Sequence, residues 1–291
     1  MRLPFIISAL LALALGAAVR AEHGTVWLER VNAFRASAGL PPVAEEPALS
    51  EAVREHARYM VRHDRIEHAQ NSRRRGASLS GATAASVSNL AGSTRDDEPD
   101  WWAVDLWMQA PFHALGILDP ALTRVGFGIH RARGGFIQTA AGLDVLRGRG
   151  PLTHTRYPIV WPGDGVSVPL IAHTSEDPSP LTSCPGYRAP SGLPLIVQTG
   201  PGHKVPEVLG SVVLDDSGPL EHCWFTETSY QNPSPSQQAL GRSVLAARDA
   251  IVIIPRQPLR NGRTYRVVLE LARESRIDWS FRVAGAPEPP R

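Results

Sequence analysis

Two histidines stand where side-chain chemistry is most readily imagined in this chain. His68 lies in "IEHAQNSRRRG" (residues 66–76) and His113 in "APFHALGILDPALTRVGFG" (residues 110–128). An imidazole can move a proton near neutral pH or ligate a metal, and two in one cleft could do either together. Apart, they are unrelated polar residues, and the residues alone leave that choice open. Motifs for other chemistries are missing. No P-loop, dinucleotide glycine pattern, HExxH or GxSxG occurs, which removes the commonest nucleotide, zincin and α/β-hydrolase readings.

The elements that would carry the histidines can be traced by periodicity. Trp27, Val31, Phe34 and Ala38 fall at helical spacing and predict a helix stopping at Gly39, ahead of Pro41 and Pro42. Pro47 suits a first helical turn and opens a second helix through Leu49, Val53, His56, Ala57 and Met60. His56 shares the apolar stripe of that helix and reads as a satisfied core histidine, with His63 at the surface or helix end. Residues 76–94, rich in Gly, Ala, Ser and Thr, read as loop with a short strand. Pro99 opens a third helix whose Trp101, Trp102 and Trp107 read as core. "VGFGIH" and "GFIQTAA" predict a hairpin, and Asp119-Pro120 starts a turn.

Beyond about residue 155 the chain turns rich in Pro and Gly with alternating apolar residues. "VSVPLIA", "LPLIVQT", "VLGSVVL", "AIVIIP", "TYRVVLEL" and "IDWSFRV" are strand candidates separated by turns such as Asn261-Gly262, which predicts an all-β sandwich at residues 158–284 after a linker at 151–157. His173, Glu176, Asp177, His203, Asp215, Asp216, Glu221 and His222 make no trusted metal spacing there. A tail at 285–291 is expected to be disordered.

Arg2, an apolar run over residues 3–19 and "VRA" before Glu22 form the pattern of a cleaved secretory signal at residues 1–21. No later stretch is long and apolar enough for a transmembrane anchor. The formal charge is +2, and removing residues 1–21 leaves 28 basic against 28 acidic residues, a balance that argues against nucleic acid as partner. The basic run at residues 73–75 reads as a solvated loop in preference to a phosphate or cell-wall contact. Lys204 is the only lysine among many arginines, which fits a GC-rich bacterial genome. In an exported chain the two cysteines, Cys184 and Cys223, pair naturally as one disulfide.

The motifs "WLERVNAFRASAGLPPV", "LSEAVREHARYMVRHDRIEH", "SNLAGS", "WMQAPFHALGILDPALTRVGFGI" and "GGFIQTAAG", in this order, resemble the CAP superfamily (cysteine-rich secretory proteins, antigen 5, pathogenesis-related proteins) in its bacterial SCP-like form. The resemblance covers about residues 25–145, within a domain at 22–150. It implies an α-β-α sandwich, so the fold class expected for the chain is α+β, with the all-β sandwich following. More weakly, the second part resembles an immunoglobulin or fibronectin-like domain. The CAP resemblance also implies a cleft lined by two histidines and two acids. His68 and His113 match the histidine positions, and such a pair can hold Zn²⁺ with water completing its shell. Where the family carries the glutamate of "GEN", this chain has Ser88 beside Asn89, and a hydroxyl is no general base near neutral pH. Asp105 is the candidate for the second acid.

The reading that follows is a secreted, periplasmic or cell-envelope protein that binds an envelope or extracellular ligand through the His68/His113 cleft, with enzymatic activity disfavoured by Ser88. A metal-dependent hydrolase of envelope material, a peptidase or esterase with Asp105 as base, is the alternative. Lipid or sterol binding, known among other members, is a further one.

Overall fold

The structure, a computed structural model, describes residues 26–152, 155–272 and 275–285. The expected signal at residues 1–21 lies outside them, as do residues 286–291 of the expected tail.

The first unit is built on strands β1 (Ala44–Glu45), β2 (Ser88–Ser93), β3 (Arg124–Arg131) and β4 (Thr139–Asp144), in the spatial order β1-β3-β4-β2. β1 pairs parallel to β3, and the other pairings are antiparallel. Its helices are α1 (Val26–Ala36), α2 (Pro47–His63), α3 (Leu79–Val87), α4 (Trp102–Met108) and α5 (Pro111–Ile117). The turn after α1 contains Gly39 at φ +70°, and α2 begins at Pro47.

Glycines decide how α2 meets the sheet. A Cβ on Gly126 would lie 2.4 Å from the Leu49 carbonyl carbon, and one on Gly128 would lie 2.2 Å from the Arg54 amide nitrogen. Only a strand without side chains at these alternate positions lets the α2 backbone rest directly on it. The intervening residues point the other way. Phe127 stacks on Trp27 of α1 with centroids 4.8 Å apart, in one core with Trp107 of α4 and Leu115 of α5. The sheet thus carries helices on both faces.

Within residues 76–94 the expected short strand is β2, but the loop reading is corrected at Leu79–Val87, which form α3. Ser78 caps α3, its Oγ accepting from the Gly81 amide at 3.0 Å, and Ala84 and Ala85 are fully buried. Small side chains pack this helix closely on α2 without leaving an apolar periodicity to read.

The second unit is β-rich. Strands β5 (Ile159–Trp161), β6 (Ser167–Val168), β7 (Ala172–His173), β8 (Ser191–Gly192), β9 (Leu195–Gln198), β10 (Val208–Asp215), β11 (Gly218–Pro219), β12 (His222–Phe225), β13 (Ala250–Pro255), β14 (Thr264–Leu271) and β15 (Ser275–Val283) form sheets of order β11-β10-β14-β15-β6 and β12-β13-β9-β5, with β7 and β8 a separate ribbon. Tyr265, Val267 and Leu269 alternate into the core along β14, and Tyr265 stacks on Phe281 directly across from it at 5.5 Å. The all-β expectation is corrected by α6 (Pro235–Ala246), capped by Ser234 with Pro235 in its first turn. Cys184, just after a 3₁₀ turn at Pro180–Ser183, is bonded to Cys223 of β12 with Cα atoms 5.6 Å apart.

The two units do not keep separate cores. Trp161 is fully buried edge-on against Phe34 of α1, and its Nε1 donates to Ser37 Oγ at 3.0 Å. Phe112 of α5 packs on Phe225 and Tyr230, and Gln198 donates to the Leu118 carbonyl at 2.9 Å. Asp119, at the end of α5, holds Arg149 at 2.9 Å and Arg248 at 2.6 Å, while its other oxygen accepts from the Ala121 amide in the expected turn. Arg35, with no exposed surface, donates to the carbonyls of Ile117 and Asp119 at 2.7 and 2.9 Å. Burial lowers its pKa to about 10 against the opposing pull of Asp119, so it remains a cation at the carbonyl end of α5.

Candidate functional site

A cleft of about 290 Å³ brings the two histidines together, its lining including Ile66, His68, Leu90, Trp107, His113 and Glu176. His68 comes from the loop after α2. His113 comes from the first turn of α5, which Pro111 starts after the extended residue Ala110.

Each imidazole is oriented from its Nδ1 side. His68 Nδ1 is 2.9 Å from the Ala85 carbonyl, which can only accept, so this nitrogen carries the proton and Nε2 the lone pair. His113 Nδ1 is 2.6 Å from Glu176 Oε1, and the same oxygen accepts the His113 backbone N–H at 2.8 Å. The Glu176 side chain has no exposed surface. Its second oxygen has no hydrogen-bond partner among the described residues. A carboxylate so placed needs a positive or hydrogen-bonding partner to offset its burial, and His113 is the one at hand.

Glu176 was not identified as a cleft residue from the sequence. It stands in the loop after β7, 63 residues from His113, and nothing in "HTSEDPSP" marks it. Beside it, buried His173 donates from Nδ1 to the Gln109 carbonyl at 2.9 Å, so the second unit grips the junction between α4 and α5 at both residues.

The other sequence candidates fall in different places. Asn89 is buried and donates to the His113 carbonyl at 3.1 Å, bracing α5 from below the ring. Ser88 is buried, and its Oγ has no hydrogen-bond partner among the described residues. Asp105 is corrected as the cleft acid. It is absent from the lining, and both of its oxygens accept from Arg30 of α1, at 2.5 and 2.8 Å.

His56 supports the loop that carries His68. Its Nε2–H donates to the Glu67 carbonyl at 2.9 Å, while its Nδ1 accepts from Gln70 at 3.1 Å, so the neutral ring is fully used. Burial is the main cause that lowers its pKa from 6.5, partly opposed by the Glu67 carbonyl bond. The unfolded chain therefore takes up a proton below about pH 6.5 that the folded protein refuses, and stability falls with pH from there towards the lowered value. The thermal midpoint is expected to drop between about pH 7.5 and pH 5.5, and to drop less in His56→Gln.

Neither histidine is joined by enough partners for a protein-built zinc centre. Each ring is bonded through Nδ1, in the way that orients metal-binding imidazoles, and neither Nε2 has a hydrogen-bond partner among the described residues. Among the described residues, however, no three His, Cys, Asp or Glu side chains are grouped to hold a metal ion. An open catalytic zinc site uses three.

Helices packed on a small sheet and a cleft that includes two histidines accord with what the sequence motifs lead one to expect. Residues 28–140 match the model of the family described as CAP, the Cysteine-rich secretory protein family, which supports placing this part of the chain in the CAP superfamily. The matched region contains both histidines and ends before Glu176. No curated protein matches the chain. Among the described residues, no helix is long and apolar enough to cross a membrane.

Proposed function

We propose that the chain is an exported CAP-domain protein whose cleft binds a polar ligand between the Nε2 atoms of His68 and His113, with Glu176 of the second unit as a working part of the site. The observation that carries this reading is the 2.6 Å contact between His113 and a buried carboxylate from outside the matched region. The disulfide accords with an extracellular, periplasmic or envelope location. The Nε2 atoms of His68 and His113 would be the two protein ligands of a loosely held Zn²⁺, one short of an open catalytic set. Calorimetric titration of the chain with Zn²⁺ is expected to give weak to moderate affinity that disappears in His68→Ala/His113→Ala. Titration with no heat in the wild-type protein removes the metal and leaves recognition of a polar organic ligand.

Hydrolysis is a second reading, favoured by one observation. A carboxylate on Nδ1 fixes His113 as a base at Nε2, the orientation used when histidine takes a proton from water or a hydroxyl. The acid missing at Ser88 is thereby supplied from a different element. Turnover of ester or peptide substrates from envelope material, lost in His113→Ala, would establish it.

A further inference from the structure

A second concave site lies between the end of α2 and the β3–β4 hairpin, with a volume of about 560 Å³. Arg58 and Arg62 of α2, His130 of β3 and the hairpin residues Gly134 and Gly135 line it, with Asp64 and Arg133 completing its charged groups. Arg58 and Arg62 are one helical turn apart and exposed.

Many arginines of this chain are paired with carboxylates, among them Arg54 with Glu51, Arg124 with Glu46, Arg131 with Asp100, Arg133 with Asp96, and Arg266 with Asp278, whereas two unpaired ones share this cleft. Neither Arg58 nor Arg62 forms an ion pair among the described residues. Glu55, one turn before Arg58, accepts from Ser78 and Ser80, and these bonds chiefly, with Arg58 as a smaller cause, lower its pKa. Asp64, which also lines the cleft, accepts from the Ile137 amide through Oδ1. His130 reports the resulting field, since burial and then Arg58 and Arg62 lower its pKa.

The positive surface continues beyond the cleft. The Arg62 guanidinium lies where a Cβ on Gly76 would be, 2.3 Å away, and His63 Nε2 donates to the Arg75 carbonyl at 3.0 Å. The run of Arg73, Arg74 and Arg75, which reads from sequence as a solvated loop, is thus fastened beside Arg62. All three are exposed and form no ion pair among the described residues.

We infer that this cleft is a binding site for phosphate groups, held by the Arg58 and Arg62 guanidiniums, with Arg73, Arg74 and Arg75 taking further phosphates of the same ligand. Two adjacent guanidinium forks can each present paired N–H donors to a tetrahedral oxyanion, whereas a single carboxylate is satisfied by one. Gly134 and Gly135, both exposed, border the cleft on the hairpin side. A chain of linked phosphates should therefore bind more tightly than inorganic phosphate, and binding should weaken as salt rises. The site is independent of the His68/His113 cleft.

The test is titration of the full chain with inorganic phosphate, with short soluble polyphosphate and with phosphatidylglycerol vesicles, at low and moderate salt. Polyphosphate is expected to bind best, and Arg58→Gln/Arg62→Gln to weaken it roughly tenfold or more. His68→Ala/His113→Ala and Arg276→Gln, which alters an exposed arginine of the second unit, should leave it unchanged. The His130 imidazole should titrate at higher pH when phosphate is bound, followed by NMR. Unchanged affinity in the Arg58/Arg62 variant, or an equal loss in Arg276→Gln, would overturn the site. Binding to vesicles without binding to polyphosphate would also overturn it, in favour of a lipid surface.

Discussion

Glu176→Ala is expected to weaken any ligand held at His113 Nε2 by about 10- to 100-fold, the usual effect of removing a group that orients a ligating or basic imidazole. The carboxylate fixes both the proton on Nδ1 and the direction of the ring, through its 2.6 Å contact and its 2.8 Å bond to the His113 amide. Without it, the proton is free to sit on either nitrogen. Glu176→Gln keeps an oxygen acceptor for both donors and should recover most of the orientation while losing the charge. Imidazole nitrogen shifts would report the change directly, a single tautomer in the wild type and a mixture in the alanine variant. Equal affinity and an unchanged tautomer in Glu176→Ala would reduce Glu176 to packing and return the site to the two histidines.

Trp161→Ala is expected to cost about 3–5 kcal/mol, the range for emptying a fully buried large aromatic site. Its ring fills space against Phe34, and its indole N–H satisfies Ser37 Oγ. The loss should appear in both units together. Denaturant unfolding followed by probes in the first and second units should give coincident transitions, because Trp161, Phe112 and Asp119 all contribute to a shared interior. Two separated transitions would show that the units are energetically independent and that the contacts between them add little.

Much of the scaffold was legible because its signals are local. Pro47 at a helix start, the turn at Gly39, and the alternation of Tyr265, Val267 and Leu269 each report on a few neighbouring residues. α3 escaped because Gly, Ala and Ser pack by closeness, leaving no hydrophobic stripe to count. α6 was overlooked although Ser234 and Pro235 mark its start, since strand patterns on either side drew the reading. His68 and His113 were found through motif order, and one cleft includes both. Asp105 failed because sequence cannot show that Arg30, from another helix, takes its carboxylate. Glu176 was invisible for the complementary reason: a loop residue becomes part of a site only through the packing of two units.

The contact between Trp161 and Ser37 spans 124 positions of chain. At a synthesis rate of about 5–20 residues per second, α1 would exist for on the order of 10 seconds before the residue that completes its packing is made. Through that interval Phe34 lacks the Trp161 ring that packs edge-on against it in the folded protein. Pairings this distant also make folding slow once the whole chain is present, because long segments lose their freedom before the contacts form. A polypeptide kept from finishing its core until late leaves apolar surface uncovered for longer and is exposed to aggregation if release is delayed.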